Sequence, residues 1–223
     1  MISKVLCWFG CLWGIAIAIP TSVIADPDRD RIQTLNRQRL IETNRCQGCD
    51  LRNTDLNGLK LMGADLSKAN LQGANLRSAD LEGANLEAAT LIYTDLSYAN
   101  LRLANFSQAN LQGANLSNTY LLEASFRQSN LESANLTDTY GDGNVDVFTS
   151  VRQFVDLTGA NLLKANLTNA KLGFANLEGA NLSEANLVDA NLENSSLTNI
   201  NLQNAKLCNT ILQDGSTNNQ NCR

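Results

Sequence analysis

A Leu or Phe recurs at every fifth position through two long stretches of this chain. The first series runs from Leu51 to Leu136 and the second from Leu157 to Leu212, with 18 and 12 central positions, offset from each other by one residue. Ala stands two positions before the central residue in 20 of these 30 units, and Asn or Asp stands one position before it in 22. A five-residue period keeps neither a helix face nor a strand face in register. The unit A-(N/D)-L-x-x must therefore build a coil of its own.

The unit predicts which side chains face the interior of that coil. Alternate residues of an extended segment share a face, so the alanine two positions before each central leucine faces inward with it. The Asn or Asp between them, and the two variable residues that follow, face solvent or the turn. Glycine recurs at the second variable position, as at Gly58, Gly73 and Gly113, where a corner favours a positive φ.

The rarest central residue indicates the size of one coil. Phe replaces Leu only at Phe106 and Phe126, which are four units apart. Two bulky rings in adjacent layers on one side fit a coil of four units. The same spacing places Tyr93 between Gly73 and Gly113, where the glycines leave space for its ring.

The units resemble the A(D/N)LXX repeat of the pentapeptide repeat family, as in residues 64–68 (ADLSK) and 180–184 (ANLSE). This resemblance implies an all-β fold, a right-handed quadrilateral β-helix. Thirty units at four per coil give seven and a half coils, which at about 4.8 Å per coil form a rod core about 36 Å long.

Residues 1–25 have the three parts of a secretory signal peptide. Lys4 lies near the start, an apolar run extends from Val5 to Ile19, and residues 23–25 (VIA) provide a cleavage context before Asp26. The apolar run is shorter than the roughly 20 residues that span a bilayer. Cleavage is therefore favoured over an anchor helix, and no stable membrane insertion is expected afterwards.

Residues 26–48 are predicted to form an N-terminal cap. Apolar residues stand among charges between Asp28 and Arg45, which indicates a short amphipathic helix; they are Ile32, Leu35, Leu40 and Ile41. Such a helix would cover the open end of the coil, which otherwise exposes leucines and unpaired backbone. The alternative is a helix that binds a partner or a membrane surface.

Composition excludes several classes of function. Removing the signal peptide takes away Lys4 and leaves 16 basic and 22 acidic residues, a net charge of -6, which disfavours nucleic-acid and anionic-membrane binding. The chain has no His, the usual general base and metal ligand. It also has no phosphate-binding loop, nucleophile elbow or zinc-binding spacing. We therefore expect neither an enzyme nor a cofactor.

Four cysteines remain after cleavage, at both ends of the predicted rod: Cys46, Cys49, Cys208 and Cys222. A disulfide needs Cα atoms within about 7 Å, so only Cys46 with Cys49 and Cys208 with Cys222 can pair within one rod. The second bridge would close the tail over the C-terminal end.

Cys46 and Cys49 also have the CxxC spacing of a dithiol redox motif. Such a motif normally begins a helix, whereas this one follows a predicted helix, and Cys49 takes an inward position equivalent to alanine. A structural role is favoured, and a thiol redox protein is an alternative function.

Residues 137–156 interrupt the repeat between an array at 49–136 and a second array at 157–212, which a tail at 213–223 follows. Within a regular solenoid, an insertion is a natural place for function. Its acidic residues align in part with a calcium loop, with candidate ligands Asp138, Asp142, Asn144 and Asp146. Tyr140 and Thr149 replace two ligands of that loop, so a Gly-Asp turn followed by a short helix is favoured over a metal site.

The leading hypothesis is an exported, non-enzymatic scaffold that binds an unknown protein partner through its regular faces or its insertion. Tyr93, Tyr98, Leu103 and Leu122 are candidates for a small contact patch. Both cysteine-bearing ends resemble exported cyanobacterial members of the family, which implies the periplasm or the thylakoid lumen. The family resemblance also implies an alternative, since some intracellular members mimic DNA and bind DNA gyrase.

Overall fold

The computed structural model of the protein describes residues 27–141 and 154–222. Its regular elements are helix α1 at Pro27–Thr43 and two short strands, β1 at Thr210–Ile211 and β2 at Thr217–Asn218. The backbone between α1 and β1 forms a coil in which parallel bridges join residues four repeat units apart, as Asp65 joins Asn85. The predicted coil of four units is therefore confirmed. Phe106 and Phe126 stack in adjacent layers, with ring centroids 4.9 Å apart and an angle of 2° between their planes.

The bridge residues form four columns along the coil, which we name A to D. They begin in the first coil at Arg45, Asp50, Asp55 and Lys60, respectively. Column D contains Lys60, Asp80, Asn100, Tyr120, Tyr140, Lys171, Asn191 and Ile211.

The interior follows the predicted pattern. Central residues from Leu51 to Leu131 and the alanines two positions before them are buried in one continuous core. The second variable position has positive φ whether or not it is glycine, as at Ala88 (φ 55°) and Tyr93 (φ 56°). Tyr93 lies flat against Gly113, where an added Cβ would meet the ring at 2.5 Å. The corner conformation therefore belongs to the coil and not to glycine alone.

Hydrogen bonds explain why Asn and Asp precede the central residue. The Asn75 Oδ1 accepts the N–H of Arg77, two residues ahead, at 3.2 Å and so closes the turn. The amide of Asn135 also donates to Asn115 Oδ1 in the coil before it, at 3.0 Å. A carboxylate closes the turn equally well, as Asp95 does for Ser97 at 2.9 Å. Both residue types therefore accept the hydrogen bond that closes the turn. Asparagine can also donate a hydrogen bond to the neighbouring coil.

Helix α1 has favourable residues at both ends. Pro27 takes the first helical position, and Asp28 and Asp30 place negative charge in the first turn, where the helix dipole favours it. Asn44 ends the helix in a left-handed conformation, with φ 57°, and its N–H donates to the Leu40 carbonyl at 2.9 Å.

The cap contacts are polar, which corrects the expectation of an amphipathic helix. Only Leu40 is buried, whereas Ile32, Leu35 and Ile41 are 50 %, 59 % and 45 % exposed. No coil precedes the first one to donate hydrogen bonds to its carbonyl groups. Side chains of α1 supply the donors instead. Asn36 Nδ2 donates to the Asp50 carbonyl at 3.0 Å.

Arg37 makes the second such contact, because its Nε donates to the Asp55 carbonyl at 2.8 Å. A coil end with unpaired carbonyl groups is better covered by hydrogen-bond donors than by an apolar helix face. The helix therefore covers the coil through side-chain donors, Asn36 and Arg37 among them, and one inserted leucine.

The coil continues through part of the predicted insertion. Tyr140 bridges to Tyr120 and Lys171, and Ser125 bridges to Asp156. The bridge from Ser125 to Asp156 spans more of the chain than the four units of a regular coil, and the extra residues lie between Gly141 and Phe154. The predicted boundaries of 137 and 156 were too wide, because Tyr140 and Gly141 replace the Asn and Leu that mark a unit.

Two compensating changes close the core at this point. Gly141 takes a central position that leucine occupies elsewhere, and an added Cβ there would meet Val155 at 2.5 Å. Val155 takes a position that alanine occupies in most units, and both residues are buried. The larger Val155 thus fills volume that the missing leucine leaves, and the layer stays packed.

An ion pair in the first coil makes a pH-dependent prediction. The hydrogen bond from the Arg52 guanidinium, with Nε 2.8 Å from Oδ1, lowers the pKa of Asp50 to about 2 against the opposing effect of burial. Because the folded-state pKa is depressed, this stabilisation is present above the ordinary value of 3.8 and is lost as pH falls toward 2. We expect Arg52→Ala to raise the Asp50 pKa toward 3.8, measured by carboxyl NMR titration. Arg77→Ala, which removes an arginine that contacts Tyr98 instead, should leave that pKa unchanged.

Candidate functional site

Exposed apolar side chains of the described coil concentrate on one side. Beyond α1 there are six large ones: Met62, Tyr93, Tyr98, Leu103, Tyr120 and Tyr140. Tyr120 and Tyr140 lie in column D, and Met62, Tyr98 and Leu103 lie in the turns on either side of it. Tyr93 alone lies elsewhere, in the turn between columns B and C. A uniform rod would scatter such residues over all four columns, so this distribution singles out column D.

Two aromatic pairs extend this surface across the interruption in the repeat. The rings of Tyr120 and Tyr140 stack with centroids 5.5 Å apart. Phe154 and Phe174, half-buried in the turn between columns D and A, stack with centroids 4.9 Å apart. We call this surface the apolar ridge and define it as Tyr98, Leu103, Tyr120, Tyr140, Phe154 and Phe174.

Cations hold two of these rings in place. Lys171 Nζ lies 5.0 Å from the centroid of the Tyr140 ring, in the next layer of column D. The Arg77 guanidinium lies 4.5 Å from the centroid of the Tyr98 ring. Stacking and cation–π contacts restrict ring rotation, so the ridge presents its tyrosine edges and hydroxyls in a fixed arrangement.

An ion pair joins the two parts of the coil beside the ridge. Arg127 Nη1 lies 2.9 Å from Asp156 Oδ2. Burial alone would raise the pKa of Asp156, but hydrogen bonds from the hydroxyl and N–H of Thr158 and from Arg127 outweigh burial and lower it. The carboxylate therefore stays ionised and paired at neutral pH, which fixes the layer where the repeat resumes.

The predicted contact patch is partly reproduced. Tyr98 and Leu103 belong to the ridge and Leu122 lies half-buried beside it, but Tyr93 lies apart. Sequence reasoning missed Tyr120, Tyr140, Phe154 and Phe174. The signal was available in the spacing, because the two members of each aromatic pair are one coil apart in the repeat, as Phe106 and Phe126 are.

The calcium candidates fall mostly outside the part of the chain that the structure describes. Asp142, Asn144 and Asp146 are outside the described residues. Asp138 lies in a turn of the coil, with φ 55°. Within residues 27–141 and 154–222, no three acidic, His or Cys side chains are grouped as metal ligands would be.

The cysteines lie in the two predicted pairs. The Cα atoms of Cys46 and Cys49 are 5.2 Å apart, and those of Cys208 and Cys222 are 5.0 Å apart, with both sulfur pairs at bonding distance. Cys46 is fully buried and Cys49 is 5 % exposed, beneath α1. A buried pair cannot present a sulfur to the disulfide of another protein, so this arrangement favours the structural role.

No helix in the described ranges has both the length and the apolar character that are needed to cross a membrane.

Comparison with known proteins begins with a family model for pentapeptide repeats. It matches residues 45–83, 69–108, 109–140, 153–183 and 175–214, more than half of the chain. Comparison with curated proteins gives no match.

Solved structures give further similarities. Trypsin-treated QnrB1, a plasmid-mediated fluoroquinolone resistance protein, is 18% identical with a TM-score of 0.51, over 70% of this chain and 90% of that chain. HetL, a pentapeptide repeat protein involved in heterocyst differentiation regulation in the cyanobacterium Nostoc sp. strain PCC 7120, is 28% identical with a TM-score of 0.38, over 82% and 98% of the two chains.

A pentapeptide repeat protein from the Arabidopsis thaliana thylakoid lumen is 29% identical with a TM-score of 0.24, over 54% of this chain and 88% of that chain. The QnrB1 similarity concerns the fold alone. The family model matches both arrays, on either side of the interruption. The bridges between residues four units apart stack these repeats into successive coils. This chain therefore belongs to the pentapeptide repeat family.

Proposed function

We propose that the protein is an exported, non-enzymatic scaffold that binds a protein partner through the apolar ridge. The observation that carries this proposal is the concentration of exposed aromatic side chains around column D. Aromatic residues are enriched where proteins bind one another, and pentapeptide repeat proteins are generally structural or interaction proteins.

The rigid coil behind the ridge supports this role. Columns B and C carry hydrogen-bonded asparagine ladders, such as Asn181 to Asn161 at 3.1 Å, which hold the layers in register. We infer the right-handed quadrilateral form that the family resemblance implies, so that column D is one flat side. A pre-formed surface lowers the entropy lost on binding.

We propose export from residues 1–25, whose n-region, apolar run and cleavage context are those of a signal peptide. They lie outside the described residues. An oxidising compartment is compatible with two pairs of cysteines at bonding distance. We propose the periplasm or the thylakoid lumen as that compartment.

DNA mimicry receives less support from the surface of the coil. A mimic of DNA needs dense, regular negative charge, but asparagine occupies sixteen of the bridge positions and aspartate only six. We therefore expect the protein to leave gyrase supercoiling unchanged, and inhibition at a stoichiometric ratio would revive that alternative.

A comparison of two variants tests the ridge directly. Tyr120→Asn combined with Tyr140→Asn restores the residue that is commonest at bridge positions, so the coil should fold normally. Loss of two interface aromatics should weaken partner binding by about 30-fold or more. The assay is capture of partners from an extract of the exported compartment, with the captured protein then titrated against each variant.

Tyr93→Asn is the matched control, because Asn tolerates the left-handed conformation that Tyr93 adopts. It removes the most exposed tyrosine, 68 % accessible, from a turn outside the ridge. Binding that survives Tyr93→Asn and is lost in the double variant supports the proposal. Equal retention by both variants would overturn it.

A further inference from the structure

The tyrosines of the apolar ridge use their backbone groups within the coil. The Tyr140 N–H donates to the Thr119 carbonyl at 2.9 Å, and the Tyr140 carbonyl accepts the N–H of Leu121 at 2.8 Å. Tyr120 is bonded in the same way to the coils on either side of it. A strand of another protein therefore finds no edge to pair with on this side. Whatever binds the ridge must be held by side chains.

A groove of about 530 Å³ lies beside the ridge, between column D and the turns that precede it. Its lining residues are Asp138, Tyr140, Asn169, Lys171, Asp189 and Asn191. Among the described residues, no Lys or Arg nitrogen lies at ion-pairing distance from Asp138 or Asp189. Lys171 lies over the Tyr140 ring instead. The groove thus joins an aromatic wall to two carboxylates that are complementary to a cation of a partner.

We propose that the ridge and this groove bind a proline-rich segment of the partner in the polyproline II conformation, with a Lys or Arg side chain of that segment in the groove. The inference rests on the proposed function, because it names the chemistry of the partner that binds the same ridge. Proline-rich segments bind surfaces lined by aromatic side chains. They need no pairing with the backbone of the protein that binds them.

The spacing of the coils matches the period of such a segment. Tyr98, Asp138 and Asp189 lie in the turns between columns C and D, each two layers from the next. Two layers are about 9.6 Å, at about 4.8 Å per layer. Polyproline II repeats every three residues, or about 9.3 Å. Two repeats therefore run in register from Tyr98 to Asp189, with prolines on the tyrosines and the basic residue about three residues further along.

An α-helix fits this spacing less well. It advances about 5.4 Å per turn, so over four layers of about 4.8 Å its turns drift by about 2.4 Å from the layers. Two repeats of polyproline II drift by only about 0.6 Å over the same distance. The register of the rings therefore favours polyproline II over a helix.

The polar groups of the ridge also suit a proline-rich segment. The hydroxyls of Tyr98, Tyr120 and Tyr140 have no hydrogen-bond partner among the described residues. Proline lacks an N–H, and polyproline II leaves its carbonyls free to accept hydrogen bonds. A tyrosine hydroxyl is a donor for such a carbonyl, whereas the carbonyls inside a helix are already bonded.

Titration with synthetic peptides, followed by the NMR signals of the tyrosine rings, tests the inference. The probe is hexaproline followed by Ala-Ala-Arg, prepared in both chain directions. Its control has glycine in place of every proline, which removes the preformed conformation. We expect a Kd below about 1 mM for one of the proline peptides, shifts at Tyr120 and Tyr140 but not at Tyr93, and at least about tenfold weaker binding of the control. Equal binding of the control, or no binding of either proline peptide, overturns the inference.

Paired substitutions test the groove. Asp138→Asn with Asp189→Asn keeps both left-handed turns, because asparagine adopts that conformation. This variant should bind the arginine peptide at least about fivefold more weakly and should bind a peptide with alanine in place of arginine as the wild type does. Glu132→Gln with Glu178→Gln removes the same charge from turns away from column D and should change neither affinity. Equal weakening by both variants would overturn the placement of the basic residue in the groove.

Displacement of the captured partner separates this inference from the proposed function. The proline peptide should release the partner from the wild-type protein. A partner that is lost by Tyr120→Asn with Tyr140→Asn, but is not released by saturating peptide, overturns the inference and leaves the proposed function standing. A partner that this variant retains, while the peptide no longer binds to it, overturns the proposed function instead.

Discussion

Phe126→Ala is expected to lower the free energy of unfolding by about 3–5 kcal/mol, the usual cost of removing a buried phenylalanine. The ring is fully buried, and its stack with Phe106 at 4.9 Å adds about 1 kcal/mol beyond burial. Phe126 also contacts the coil that follows the interruption, since its N–H donates to the Asp156 carbonyl. Urea unfolding followed by circular dichroism measures the effect.

Gln128→Ala is the control for this substitution. Gln128 lies two residues further on and is exposed in the turn, so alanine there should change the stability by less than about 0.5 kcal/mol. A cost for Phe126→Ala as small as that of the control would mean that the two rings do not share a packed interior.

Leu40→Ala is expected to have the second-largest effect, about 2–5 kcal/mol. Leu40 is the α1 side chain that enters the core, and its loss should loosen the helix from the first coil. Because coils are stabilised by their neighbours, the effect should appear first as faster hydrogen exchange at the N-terminal end. The amides of Cys46 and Leu51, which donate to the carbonyls of Asp65 and Asn70, report it.

Leu35→Ala makes the same substitution in the same helix at a side chain that is 59 % exposed. It should leave both exchange rates near their wild-type values. Equal acceleration by the two variants would indicate that α1 is held by overall helix formation, without a specific role for Leu40 in the cap.

The sequence alone predicts most of the coil, because one rule repeats in every layer. The spacing of Phe106 and Phe126 gives the layer size, and the pairing of Cys208 with Cys222 follows from the length of the rod. The helix is different, since its contacts are not periodic. The apolar residues of α1 suggest an amphipathic helix, but the coil end exposes carbonyls, and the donors Asn36 and Arg37 therefore meet it.

The site was harder to predict because it depends on the position of the interruption. Tyr140 takes the place of an asparagine and Gly141 the place of a leucine, so both resemble loop residues until the structure shows Tyr140 bridged on both sides. The compensating Val155 is also unpredictable from the repeat, because only the packed layer shows which volume it fills.

Hydroxyl-radical footprinting of the protein with its captured partner tests directly whether the partner binds the apolar ridge. All the tyrosines compared lie in one molecule, so Tyr93 serves as an internal reference for Tyr120 and Tyr140. We expect the partner to protect Tyr120 and Tyr140 while Tyr93 is oxidised at its free rate. Protection of Tyr93 with unchanged oxidation of Tyr120 and Tyr140 would contradict this expectation.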